Sequence, residues 1–381
     1  MIILHHVKKL ALISMALSGL ALTFAQPQTV TQAVGPRPPT RVCGAAGKDE
    51  GRCHMFARPD ASSGPVALGP GTIKAAYAFP TAASAGAGKT IAIVDAYDDP
   101  TAEKDLGVFD SQFGLPACTT ANGCFKKVSQ SGTTKYPPAN GGWALEISLD
   151  VEWAHAIAPG AKILLVEATS ATNSNLFAAE DYAKTHAQYV SNSWGESEFS
   201  GENSYDSHFA QAGVSVFVSA GDSGLPAQYP SSSPNVISVG GTTLKFSSSG
   251  AVTETGWSSG GGGCSLYETA PTAQSTFRQY SQVNCRGKRA TPDLALDADP
   301  NSGVAVYDST PYSGQSGWFQ VGGTSASSPM VAGRAADAGV VVNSAYVYGS
   351  SITFRDIVAG NNGASCLIGF DLCSGRGSWT H

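Results

Sequence analysis

Short apolar runs alternate along this chain with longer stretches whose apolar residues recur every three or four positions. Thr90 to Asp95, Ala161 to Ala168, Val190 to Trp194 and Val214 to Ala220 are runs of strand length. Thr101 to Phe113, Gly142 to Ala156 and Asn175 to His186 carry helical spacing, and a further helical stretch lies between Trp194 and Val214. In the second of these helices Trp143, Ile147, Val151 and Ala154 share one stripe. Near-continuous apolar strands alternating with helices predict an α/β fold, a mostly parallel central sheet with helices on both faces. Catalytic side chains then belong at the carboxyl ends of strands, and Asp222 in VSAGDSG stands just past one.

The two ends of this pattern differ from its middle. Lys8 and Lys9 precede an apolar run from Leu10 to Leu22, and Thr23-Phe24-Ala25 places small residues for cleavage before Gln26, so residues 1–25 read as a secretory signal. Residues 26–66 read as a short lead-in, a vestigial prosegment that is polar and proline-rich up to residue 41. A catalytic domain is expected over 67–381. Export agrees with eight cysteines in four sequence-local couples, 43 with 53, 118 with 124, 264 with 285 and 366 with 373. No CxxC or paired-histidine spacing accompanies them, which argues for disulfides over zinc. No other run is long and apolar enough to cross a bilayer, so a secreted, extracellular monomer without a membrane partner is expected.

Composition narrows the partners. Charged residues are 14% of the chain, against roughly 25% in an average soluble protein. A formal charge of −6 offers no basic footprint for nucleic acid. Few charges also mean few uncompensated cations once carboxylates protonate, which suits an acidic environment.

Two segments carry the candidate chemistry. Gly322-Gly323-Thr324-Ser325-Ala326-Ser327-Ser328-Pro329 is a glycine turn followed by residues that can open a helix. A serine there exposes its Oγ and aims its own N–H, at a helix N-terminus, where an oxyanion would form. Glu146 and Asp150, four apart in WALEISLD, share a helix face. Two carboxylates that close in a low-dielectric cleft cannot both ionise cheaply, so the pair can hold one proton, accept another from a serine and return it to a leaving amine. The competing readings are a Gly/Ser surface loop and two solvated acids. Asp95 and His155 leave open an ordinary Asp-His-Ser site, although no His-Gly-Thr-His string is present and Glu146 stands where that histidine would. An exported binding protein, catalytically silent on the same scaffold, is the alternative from another class. His54, His186 and His208 have no convergent partners in the sequence.

The segments WALEISLDVEWAHAIAPGAKILLVEA, VSNSWG, FVSAGDSGLPAQYPSSSPNVISVGGTTL, GGTSASSPMVAG and FRDIVAGNNG…GFD, spread over roughly residues 70 to 375, resemble the sedolisin family of serine-carboxyl peptidases. The resemblance implies a subtilisin-like fold and cleavage of peptide bonds in polypeptide substrates at acidic pH. It makes Ser325 the nucleophile, Glu146 the general base, Asp150 its carboxyl partner and Asp222 the oxyanion-hole acid. It sets Ser193, Trp194 and Gly195 along the substrate cleft, where Trp194 either walls a pocket or packs in the core. It also implies one structural Ca2+ held by the side chains of Asp356 and Asp371 and the carbonyls of Ile357 and Gly369. Leu367 stands where the family pattern has a glycine.

Overall fold

The computed structural model describes residues 37–58, 62–65, 67–349 and 352–380; the signal expected over 1–25 lies outside them. Across an eight-stranded central sheet run Val252–Gly256, Ile237–Phe246, Ser215–Ser219, Tyr189–Asn192, Thr90–Ala96, Lys162–Ala168 and Phe125–Ser129, with Leu294–Asp297 also paired to Ile237–Phe246. All pairings are parallel except that of the Val252–Gly256 edge. Register sets Val94 beside Val166 on one side and Asn192 on the other. Both faces of these strands are buried, so their sequences are continuous apolar runs without alternation.

Two helices matter most for function. Gly141–Ile157 is capped by Asn140, whose side chain accepts from the N–H groups of Gly142 and Trp143 at 3.0 and 3.2 Å. Every residue from Trp143 to Ile157 is buried, so this helix is wrapped by protein on all sides and its carboxylates lie in the interior. Thr324–Ala338 packs against it, and Ala102–Phe113 covers it further.

The run Val190 to Trp194 is not one strand. It breaks at Ser193 into Tyr189–Asn192, in the central sheet, and Trp194–Ser197, which leaves that sheet to pair with Arg52–Cys53 and Gln228–Tyr229. The helical stretch that follows is a 3₁₀ helix, Glu202–Phe209. The lead-in is woven into the body: Thr40–Arg41 and Phe56–Ala57 form a four-stranded sheet with Val304–Tyr312 and Gln315–Gly322. All four sequence-local cysteine couples are bridged. Among the described residues no helix is long and apolar enough to cross a membrane.

Candidate active site

The strand Gln315–Gly322 ends at Gly323, whose φ of +112° favours glycine, and the helix Thr324–Ala338 begins at once. A Cβ on Gly323 would stand 2.1 Å from the carbonyl oxygen of His54 and 2.7 Å from Asp222 Oδ2, so only glycine leaves that space open. Ser325 lies in the first helical turn, where N–H groups have no partner within the helix. Its N–H donates instead to the His54 carbonyl at 3.1 Å, and its Oγ donates to the carbonyl of Ser193 at 3.2 Å.

Glu146 and Asp150 are fully buried one turn apart on the adjoining helix. Ser193 Oγ donates to Asp150 Oδ1 at 2.8 Å. Neither oxygen of Glu146 finds a partner of standard hydrogen-bond geometry, while the Ser325 hydroxyl stands near enough to favour its ionised form. A third carboxyl joins the pair. Asp95, at the end of the Thr90–Ala96 strand, is buried with both oxygens unpartnered. Burial pushes Glu146 well up, followed by the charges of Asp150 and Asp95. Burial likewise raises Asp150, followed by Asp95, against the Ser193 hydroxyl. Burial alone takes Asp95 up to about 8. The charges that oppose ionisation are those of the other members, so the first proton leaves without that repulsion and later ones do not. Such a cluster resists ionisation, and its members share their protons.

Asp222 follows the Ser215–Ser219 strand and points at the same space from the other side. Its Oδ1 accepts from the N–H of Thr324 at 2.8 Å and from the Thr324 hydroxyl at 3.0 Å, whereas Oδ2 has no partner. Burial raises it to about 7, against the Thr324 donors and the positive charges of Arg41 and Arg52. With Oδ1 engaged as an acceptor, the proton of the acid form belongs on Oδ2, the oxygen that borders the His54 carbonyl beside Gly323.

The backbone of Ser193 to Gly195 is a strand edge that residues 52–54 occupy. Arg52 and Cys53 pair antiparallel with Gly195 and Trp194, and the His54 N–H donates to the Ser193 carbonyl at 3.1 Å. The Trp194 side chain does not wall this cleft. It is buried among Phe177 and Phe209, its indole N–H donating to the carbonyl of Val94 at 2.9 Å.

Other residues lie elsewhere. His155 is buried two and a half turns beyond Glu146, with Nε2 at 2.9 Å from the Pro116 carbonyl and 3.3 Å from Asp110, and burial lowers its pKa to about 4. His186 and His208 bond to Tyr182 and Asp181, away from Ser325. His54 is the exception: a histidine without partners in the sequence has its carbonyl on the Ser325 N–H. Asp356 and Asp371 are drawn to one loop system, but with N–H donors on them. Asp356 Oδ2 accepts from Gly369 N–H at 2.8 Å. Asp371 Oδ2 accepts from Leu367 N–H at 2.6 Å, and its Oδ1 accepts from the N–H groups of Cys373 and Ser374 and from the Ser374 hydroxyl. Oδ1 of Asp371 is thus filled, while Oδ2 takes a single donor and keeps a lone pair, so Asp356 and Asp371 retain the hard oxygens that calcium takes.

Residues 137–353 match the model of the subtilase family, Peptidase S8. The chain is similar to kumamolisin of Bacillus sp. (strain MN-32), 31% identical over 363 residues, covering 83% of this chain and 63% of that protein. It is also similar to xanthomonalisin of Xanthomonas sp. (strain T-22), 30% identical over 357 residues, 72% of this chain and 41% of that protein. The chain thus spans less than two thirds of the length of these relatives. Among solved structures, a Pseudomonas sedolisin (serine-carboxyl proteinase) complexed with two molecules of pseudo-iodotyrostatin superposes with a TM-score of 0.69 at 27% identity, over 84% of this chain and 96% of that one. That likeness makes the fold subtilisin-like, with a mainly parallel central sheet.

Proposed function

Because the chain belongs to the subtilase family, on its sedolisin branch, we propose that it is an endopeptidase that hydrolyses peptide bonds of polypeptide substrates in acid, with Ser325, Glu146, Asp150 and Asp222 as its catalytic groups. The observation that carries this reading is one peptide carbonyl, that of His54, held by the Ser325 N–H beside the unpartnered oxygen of Asp222. Ser325 Oγ adds to the carbonyl carbon of a substrate as its proton passes to Glu146. The developing oxyanion takes hydrogen bonds from the Ser325 N–H and from protonated Asp222, both set before the reaction begins. Asp150, hydrogen-bonded by Ser193, shares the cluster's protons and holds Glu146 ready to return one to the departing amine. Water then adds to the ester, which breaks to a carboxylic acid and restores the Ser325 hydroxyl.

An extended substrate adds as a strand on the edge of Ser193 to Gly195. Four disulfides and the absence of a membrane-spanning helix among the described residues suit a secreted enzyme. Membership of a family whose members bind calcium, together with the lone pair left on Asp371 Oδ2, supports one structural ion held by Asp356, Asp371 and the carbonyls of Ile357 and Gly369.

Purified protein, incubated with denatured casein at pH 4, tests the reading. Ser325→Ala, Glu146→Ala and Asp150→Ala should each lower kcat by several orders of magnitude, and combining them should cost little more. His155→Ala should leave kcat nearly unchanged. If His155→Ala abolishes turnover in folded protein while Glu146→Ala is harmless, a histidine-dependent mechanism replaces this one.

A further inference from the structure

Residues 49–58 run through the whole cleft. On one side of Ser325, Arg52 and Cys53 pair with the Trp194–Gly195 edge and the His54 N–H reaches Ser193. Gly51 N–H meanwhile bonds to Ala171 at 2.8 Å, so the strand is held from two directions. On the other side, Phe56 and Ala57 pair antiparallel with Gly322 and Val321, and Arg58 N–H donates to Gln320 at 2.9 Å. The peptide bond between His54 and Met55 falls where these pairings meet, its carbonyl in the oxyanion position. The His54 ring fills a buried slot, with Nδ1 2.7 Å from Ser219 Oγ. A Cβ on Gly195 would come within 2.8 Å of that ring, so the slot exists because residue 195 is glycine.

This strand differs from an ordinary substrate in how it is tied. The limb before it doubles back: Thr40 and Arg41 pair with Ala57 and Phe56, and Val42 N–H donates to Met55 at 3.0 Å. Cys43 is bridged to Cys53, the residue before His54. Arg41 adds bonds to the Asp222 carbonyl and to Ser223 Oγ, with its guanidinium 4.6 Å over the Phe56 ring. Residues 40–43 therefore grip both sides of the His54–Met55 bond, one side through a disulfide and the other through a strand.

We propose that the segment Thr40–Ala57 is a built-in inhibitor loop with His54–Met55 as its reactive bond, clamped so that it blocks the cleft both before and after that bond is cut. The proposal rests on Ser325 being the nucleophile. Attack by Ser325 Oγ on the His54 carbonyl carbon forms an ester and breaks the C–N bond, and the Met55 amine leaves with the proton passed through Glu146. Water hydrolyses the ester to a His54 carboxylic acid and regenerates Ser325. Because Cys53 remains bonded to Cys43, and residues 40–42 remain paired with 55–57, the new ends stay at the nucleophile. The amine can re-attack the ester faster than either end departs. Lasting activation then requires loss of the clamp, by opening the disulfide or by a second cut in the exposed stretch 44–49.

The test uses the full exported chain, the Cys43→Ser/Cys53→Ser double variant, Arg41→Ala and Ser325→Ala, all checked for folding by circular dichroism. Each is incubated at pH 4, assayed on denatured casein, then denatured, reduced and read by mass spectrometry. Wild type should slowly accumulate a fragment beginning at Met55 and yet remain at least about tenfold less active than the double variant, whose released fragment loses its tethered effective concentration. Arg41→Ala, which keeps the disulfide, should fall between them, so the outcome does not depend on the double variant folding. Ser325→Ala should show no nick. Wild type as active as both variants, or active with the 54–55 bond intact, overturns the inhibitor loop and leaves the peptidase reading standing. No nick and no casein cleavage in any form overturns both.

Discussion

Asp222→Asn should reverse its standing against wild type as pH rises. In wild type the oxyanion donor is a carboxylic acid whose pKa stands at about 7, raised by burial. A titrating donor follows its acid fraction, about 99% at pH 5, about 10% at pH 8 and about 1% at pH 9. Losing such a donor costs about 10²–10³ in kcat, so wild type should fall roughly a hundredfold between pH 5 and 9 before levelling. Asparagine is nearly isosteric here. Its carbonyl can replace Oδ1 as acceptor for the Thr324 N–H and hydroxyl at 2.8 and 3.0 Å, leaving its NH2 at the position of the unpartnered Oδ2. That donor does not titrate. If the amide serves the oxyanion about tenfold less well than the acid, the curves cross near pH 8, where about a tenth of Asp222 keeps its proton. Asp222→Ala should lie about 10²–10³ below the acid plateau and lack the basic limb. Initial rates on a quenched fluorescent peptide from pH 3 to 10, with the clamp opened in all preparations by Cys43→Ser/Cys53→Ser, measure this. A variant profile that falls in parallel with wild type above pH 7 refutes the assignment, because the basic limb would then belong to another group.

Three further outcomes follow from the same groups. Burial raises Asp99 to about 6 and Asp95, Glu180 and Asp308 to about 8. The folded state keeps protons that the unfolded chain releases near pH 4, so their stabilisation is complete below that pH and is lost up to pH 6–8, by up to about 1.4 kcal/mol per pH unit per group; Tm should be higher at pH 4 than at pH 8, and the opposite order contradicts it. His54 is shifted the other way, to about 3, by burial and by Arg52 and Arg41; facing Ser219 and Gln228, with Asp222 nearby, its docked form is favoured above about pH 6.5 and loses favour as pH falls towards 3, so His54→Phe should weaken the acid dependence of loop release, read as the rate of fragment dissociation at pH 4 against pH 6.5. Chelator should lower Tm, and Asp356→Ala should abolish that sensitivity; a melting curve that chelator leaves unmoved contradicts the ion.

What could be read from the sequence is what lies close along it. Glu146 and Asp150 announce each other because a helix brings residues four apart together, and the glycine turn before Ser325 carries its own geometry. The disulfides join cysteines six to twenty-one residues apart, so proximity was a sufficient guide. Asp95 looked like a strand-end acid because its partners stand on a different element, and the break at Ser193 was hidden inside a continuous apolar run. His54 was least legible. Its neighbours are a cysteine, an arginine and a methionine, and nothing local distinguishes it from a surface histidine. Its position depends on two strand pairings that residues 52–57 make with distant segments, 194–195 and 321–322, which share no period or motif with it. A catalytic group must be built by local geometry to be rigid, and so it leaves a local pattern. An occupant that must eventually leave the cleft is held by backbone pairing open to almost any sequence, so its imprint falls on the receiving glycines, Gly195 and Gly323, more than on itself.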